Sequence, residues 1–244
     1  MSIYYEDEYV QLHHGDCLDV LATLPSGSVG AVVTDPPYSS GGRQQASARN
    51  TISKSSRVDG DWIPSDTMGS DSYIWWLREI GKQLMRTCAT GAHLYCFTDW
   101  RQYGNVVTAF ETVGWSLRSC VVWSKERGGA MGSFWRNDHE WVPVFAKGQP
   151  TPLPDGSFFN VLKSTKPQGG DHPTEKPLSV MTRLVEASPG VILDPFAGSG
   201  STLIAARNLG RKVIGVELEE RYCELIVRRL SQQAFDFTAL ESEA

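Results

Sequence analysis

The chain has 244 residues, 41% hydrophobic and 21% charged, with a formal net charge of −5. This composition excludes a disordered or fibrous chain and suits one globular domain with insertions, long enough to bury a substantial core. No stretch is apolar and long enough to span a bilayer, and the start, Met1-Ser2-Ile3-Tyr4-Tyr5-Glu6-Asp7-Glu8, is not a signal peptide, so a cytoplasmic setting without membrane partners is expected.

The negative charge collects at the two ends. Residues 1–19 carry five acids and no Lys or Arg, and residues 217–244 carry seven acids and three Arg. The stretch 20–216 is left with 20 basic and 16 acidic residues, a net of +4, which permits a basic face on an acidic protein. The five cysteines, Cys17, Cys88, Cys96, Cys120 and Cys223, form no CxxC pair and read as reduced thiols. The five histidines have no metal-ligand spacing, so no metal is expected.

Val10 to His14 reads as a first strand, followed by Gly15-Asp16-Cys17 and a helix over Leu18 to Leu24. Pro25 to Ser28 forms a turn, and Val29 to Val33 is an apolar run suited to a buried strand. That strand runs into Asp35-Pro36-Pro37-Tyr38, a set fitted to a planar exocyclic amine. Asp35 offers a carboxylate acceptor. Pro36 stiffens the backbone and presents its carbonyl as a second acceptor. Tyr38 offers a ring on which a base can stack.

Residues 39–72 lose all periodicity. Arg43, Arg49, Lys54 and Arg57 lie there without an acid between 39 and 58, as expected of a phosphate-contacting loop. Residues 73–88 suit an amphipathic helix whose tryptophans belong to the core, His93 to Phe97 a strand, and Tyr103 to Val113 a helix. Ser119–Trp123 and Glu140–Phe145 suit an antiparallel pair. Their connector, within 124–139, carries Lys125, Arg127 and Arg136 among Gly and aromatic residues, as a nucleic-acid contact loop would.

His172-Pro173-Thr174-Glu175-Lys176-Pro177 leads into a helix at Leu178. Then come the apolar Val191-Ile192-Leu193, Asp194-Pro195-Phe196-Ala197-Gly198-Ser199-Gly200-Ser201-Thr202, and a helix from Leu203. A strand, a glycine turn and a helix bring backbone N–H groups to a nucleotide-like ligand. Lys212 to Val216 is a further strand ending in Glu217, placed to accept from two ribose hydroxyls. The position three after Gly200 is Leu203, which breaks the Gly-x-Gly-x-x-Gly fingerprint of a nicotinamide dehydrogenase. Strands alternating with helices, closed by an antiparallel pair, indicate an α/β doubly wound sheet.

Taken jointly, the Asp35–Tyr38 and Asp194–Gly200 sets resemble the amino-methylating DNA methyltransferases that use S-adenosylmethionine, in the circularly permuted motif order of their beta group. The resemblance covers about Val10 to Leu230. It implies a Rossmann-like methyltransferase fold with a mixed seven-stranded sheet, in which the late cofactor strand lies beside the strand of Asp35. It implies a bacterial or phage-encoded DNA methyltransferase acting on the N6 amine of a flipped-out adenine, with Asp35, Pro36, Pro37 and Tyr38 catalytic. S-adenosylmethionine would be held by Asp16, Cys17, Thr174, Lys176, Pro177, Asp194, Phe196, Gly198, Gly200, Thr202 and Glu217. In these roles Asp194 meets the methionyl ammonium, Thr174 and Lys176 the methionine carboxylate, and Asp16 the adenine of the cofactor. Asp16 equally suits the N-cap of the helix after it. Double-stranded DNA, a second copy of the chain and a restriction endonuclease are the implied partners. The segment 147–170, where such enzymes often carry a target-recognition region, is short. N4-cytosine methylation, or a catalytically silent DNA-binding module, are the alternatives.

Overall fold

The computed structural model describes residues 2–38, 68–126, 135, 137–165 and 175–241. The expected phosphate-contacting Arg43, Arg49, Lys54 and Arg57, the connector residues Arg127 and Arg136, and Thr174 lie outside them.

The strands are β1 (Ser2–Glu6), β2 (Val10–His14), β3 (Val29–Thr34), β4 (Cys88–Cys96), β5 (Ser116–Ser124), β6 (His139–Ala146), β7 (Val161–Lys163), β8 (Ile192–Asp194) and β9 (Val213–Glu217). The helices are α1 (Cys17–Thr23), α2 (Ser70–Thr87), α3 (Tyr103–Glu111), α4 (Leu178–Glu186), α5 (Ser201–Asn208) and α6 (Glu220–Glu241). One sheet takes the order β1-β2-β9-β8-β3-β4-β6-β5-β7. Its centre, β2-β9-β8-β3-β4, is parallel. The pair β5–β6 is antiparallel, as the sequence suggests, and joins through β6 to β4.

The sheet has nine strands among the described residues, not the seven expected. The two unforeseen ones are the outermost, β1 and β7. Edge strands are short and half-exposed, so their apolar patterning is weak. By contrast β3 is apolar almost throughout because helices cover both of its faces. On one face Val20 and Leu21 of α1, Leu77, Ile80 and Leu84 of α2, and Val106 and Phe110 of α3 form a buried cluster with the sheet. On the other, Val180, Met181 and Leu184 of α4, Leu203 and Ile204 of α5, and Cys223, Ile226 and Leu230 of α6 do the same. With both faces covered, the ends of the strands are left to meet a ligand.

Of the two tryptophans of α2 expected in the core, one departs and one packs against it. Tyr73 and Leu77 take the core positions, while Trp75 is 62% exposed. Trp76 is partly buried with its ring 5.4 Å from that of Phe196.

Candidate active site

Adjacent parallel strands end in acids along the carboxyl edge of the sheet. In spatial order these are Asp16 just after β2, Glu217 at the end of β9, Asp194 at the end of β8 and Asp35 just after β3. Neighbouring strands lie about 4.8 Å apart. The pairing of Val32 with Leu193 puts Asp35 two residues further out than Asp194. Beyond β4, the antiparallel β6 brings Glu140 to the same edge. All five acids line one cavity of about 370 Å³, together with Pro36, Pro37, Tyr38, Trp76 and Phe196.

The side of the cavity under β2, β9 and β8 is built from backbone. Gly198 N–H donates to Glu217 Oε2 at 2.8 Å, and Glu219 N–H to Oε1 at 2.9 Å. Phe196 N–H donates to Asp194 Oδ1 at 3.1 Å, and the Thr202 hydroxyl to Oδ2 at 2.5 Å. Burial pushes the Asp194 carboxyl up to about 7 and raises that of Glu217. Gly200 caps α5 with φ of 83°, and a Cβ there would stand 2.8 Å from Ile226 Cγ1. The loop therefore needs glycine both for its left-handed turn and for its contact with α6. Asp16 is the N-cap of α1, accepting from Leu18 N–H at 2.8 Å, and also lines the cavity, so its two readings coexist. Cys17 lines the same wall with its thiol pushed by burial up to about 12, which leaves it an apolar contact.

The side under β3 and β6 is built from charged side chains. Tyr38 Oη–H donates to Asp35 Oδ1 at 2.6 Å and reaches Glu140 Oε2 at 3.3 Å. Lys176 Nζ donates to Asp35 Oδ2 and lies 3.4 Å from Glu140 Oε2. Lys125 Nζ pairs with Glu140 Oε1 at 2.7 Å. Burial raises the Asp35 carboxyl, whereas Lys176 and Lys125 overcome burial at Glu140 and lower it. Burial works against the charge on Lys176, but Asp35 and Glu140 outweigh it and raise the ammonium. Burial, then the charges of Asp35 and Glu140, hold the Tyr38 phenol well above its ordinary value, so it stays a donor.

Two expected assignments shift in this geometry. Lys176, expected at the methionine carboxylate, has its ammonium on Asp35 and Glu140. A short proline-flanked segment gives no sign of which carboxylate its lysine will meet. Arg229 of α6 anchors that segment by donating to Glu175 Oε1 and to the Ser199 carbonyl, each at 2.7 Å. Lys125, expected at DNA, turns inward to Glu140 and lies 5.0 Å from the Trp123 ring centroid. Pro177 is the N-cap position of α4, next to the cavity-lining Lys176. Glu140 and Trp76 line the cavity and were missed by sequence reasoning, as was Arg229, which supports the cavity-lining Glu175 and Ser199 from α6. Only the place of Glu140 at the start of its strand hinted at its position on this edge.

An α/β sheet with an acid-and-glycine wall beside an Asp-Pro-Pro-Tyr segment is the arrangement of the amino-methylating methyltransferases. The chain belongs to the N6/N4 DNA methylase family, whose model matches residues 29–159 and 153–228. It is 31% identical over 220 residues to a chain of Escherichia coli K12 named as a methylase, YubD, spanning 89% of this chain and 88% of that one. It is 27% identical over 257 residues to the Type II methyltransferase M2.LlaDCHI of Lactococcus lactis subsp. cremoris, spanning 95% and 93%. Its fold is similar to TTHA0409 of Thermus thermophilus, solved with S-adenosyl-L-methionine, at a TM-score of 0.66 and 23% identity over 92% of this chain and 95% of that one. It is also similar to the cytosine-N4-specific PvuII DNA methyltransferase, at a TM-score of 0.72 and 14% identity over 91% and 86%.

Proposed function

We propose that this DNA methyltransferase transfers a methyl group from S-adenosylmethionine to the N6 amine of an adenine flipped out of double-stranded DNA. The observation that carries the reading is the adjacency of β8 and β3, which puts Asp194 and Asp35 in one cavity. The walls suit the two ligands. Glu217 keeps free lone pairs for ribose hydroxyls, Asp194 is a buried acid suited to an ammonium, and Phe196 with Trp76 forms an aromatic wall.

When bound, the cofactor supplies a methyl group on a sulfonium. This chain's residues act on the amine. The Asp35 carboxylate and the Pro36 carbonyl accept the two N–H bonds and turn the nitrogen lone pair toward the methyl. The Tyr38 ring stacks on the base, worth about 1–3 kcal/mol per base–aromatic contact. The unpaired base enters a cavity floored by apolar strands, so the opening of the duplex is partly offset there. As the carbon–sulfur bond breaks, its electron pair stays on sulfur as a neutral thioether. The Asp35 carboxylate stabilises the positive charge developing on nitrogen, which then loses one proton to that carboxylate or to water.

The carboxyl edge that carries Asp35 also carries the surface that meets DNA in this reading. Thr98 pairs with Trp141 next to Glu140, through Thr98 N–H to the Trp141 carbonyl at 2.8 Å. Two residues on, Trp100 is 54% exposed with the Arg101 guanidinium 4.8 Å from its ring centroid. A cation on an exposed indole beside the site suits a phosphate and a base face.

Asp35 at the head of its motif leans toward adenine, and N4 of cytosine is the second reading. Transfer of labelled methyl to unmethylated genomic DNA, followed by nucleoside analysis, separates them. N6-methyladenine is expected. N4-methylcytosine would overturn the base and keep the amine chemistry, and an unlabelled DNA product would overturn the reading. The Type II methyltransferase among the relatives supports a place in restriction–modification beside an endonuclease. Protection of the modified DNA from a co-encoded nuclease would test that.

A further inference from the structure

Each oxygen of Asp35 already holds one donor. Its Oδ1 takes the Tyr38 hydroxyl and its Oδ2 takes the Lys176 ammonium. A target amine would share these oxygens with the two donors, and the ammonium on Oδ2 already answers the charge the amine would draw on. Both donors share one other acceptor, Glu140 Oε2, at 3.3 Å from the Tyr38 oxygen and 3.4 Å from Lys176 Nζ. These are longer contacts than those to Asp35, so each donor has a strong position and a weaker one a short movement away. Glu140 is itself held by Lys125 at 2.7 Å, and its side chain is only 15% exposed. The Lys176 side chain is 7% exposed, and its ammonium is flanked by the Phe97 and Tyr38 rings at 5.2 and 5.6 Å. In so closed a place a lysine leaving one carboxylate must keep another.

We propose that Glu140 is a positioning residue for methyl transfer, receiving Lys176 and the Tyr38 hydroxyl when Asp35 turns its oxygens to the target amine. The inference rests on Asp35 being the amine acceptor. Glu140 thereby lets a buried ion pair open without stranding its cation. Lys125 keeps Glu140 charged and fixed, so the second position is present before the base arrives. Glu140 touches no reacting atom in this scheme and acts through Lys176 and Tyr38.

The test uses the full-length protein, S-adenosylmethionine and unmethylated genomic DNA. It compares wild type with Glu140→Gln and Glu140→Asp, reading single-turnover methyl transfer, cofactor affinity and melting temperature. Glu140→Gln keeps the shape and removes the charge. Its transfer rate is expected to fall at least about tenfold, with cofactor affinity and melting temperature close to wild type. Glu140→Asp is expected to recover most of that rate. A Glu140→Gln rate equal to wild type overturns the proposal. So does a rate loss that only tracks a drop in melting temperature, and so does failure of Glu140→Asp to recover while the fold is intact. Wild-type transfer to DNA, measured alongside, shows separately whether the underlying functional reading stands.

Discussion

The two halves of the cavity hold their carboxylates in opposite ways. Under β9 and β8, Glu217 and Asp194 are held by neutral donors: three backbone N–H groups and one hydroxyl. Under β3 and β6, Asp35 and Glu140 are held by two ammonium groups, with the Tyr38 hydroxyl between them. Neutral donors orient an acid without setting a competing cation beside it, which suits the capture of a cationic ligand. Ammonium partners cancel the charge, which suits an acid that must wait for a neutral amine. One half is therefore ready as it stands, and the other must rearrange before it works.

The largest expected effect breaks the second half alone. Asp35→Ala removes the amine acceptor, and loss of such a preorganised group costs about 10²–10³-fold in rate. Transfer should fall at least that far in a single-turnover assay, while cofactor affinity by calorimetry stays within about twofold. Unchanged turnover would remove Asp35 from the chemistry.

Breaking the first half reverses the pattern. Asp194→Asn should weaken S-adenosylmethionine binding by about 10- to 100-fold, the size of a charge-assisted hydrogen bond. The wild type carries a sharper signature. With the Asp194 carboxyl near 7, a proton competes with the cofactor's ammonium below that pH. Affinity should therefore rise as pH rises, by about tenfold between pH 6 and 8, and Asp194→Asn should flatten the curve. The sign for folding is opposite. A carboxyl raised in the folded state binds its proton more tightly there, so the protein without cofactor loses stability as pH rises from about 4 toward 7. Melting curves with and without cofactor across that range read both slopes together.

How much of this was legible depended on where the constraint is recorded. The wall under β9 and β8 was legible because its contacts come from backbone, and backbone geometry writes itself as Gly198, Gly200 and the acids at strand ends. The strand of Asp35 was legible because burial on both faces makes Val29 to Val33 continuously apolar. The ion-pair half was not. Lys176, Glu140 and Lys125 come from three segments, and their meeting exists only once β6 has folded against β4. The helix α6 was hidden for another reason. Its buried Cys223, Ile226 and Leu230 keep a helical spacing with Glu and Arg on the other face, a pattern present in the sequence but short of apolar residues beside the motif-bearing strands.

The glycine loop offers a smaller test of the preformed half. Gly200→Ala sets a Cβ against Ile226 in a left-handed turn, at about 1–3 kcal/mol. For a chain of 244 residues that lowers the melting temperature by about 2–4 °C per kcal/mol. Ile226→Val in the same background should return part of the loss, because it removes a methyl group from the crowded wall. Equal melting of Gly200→Ala and wild type would mean that the loop and α6 separate freely, and the cofactor half would then be no more preformed than the amine half.

The smallest effect concerns the surface outside both halves. Arg101 lies against Trp100 and within 3.4 Å of Asp99, so part of its charge is already answered. A phosphate contact from it should add modestly to DNA affinity. Arg101→Ala should weaken binding a few-fold and reduce the salt slope by about one, uniformly across sequences. Trp100→Ala should weaken binding and leave that slope unchanged, since stacking releases no counterion. If both substitutions lower the slope equally, the indole serves only to hold the guanidinium. If neither lowers affinity, DNA approaches the cavity from the side of α2, and the exposed Trp75 becomes the residue to substitute.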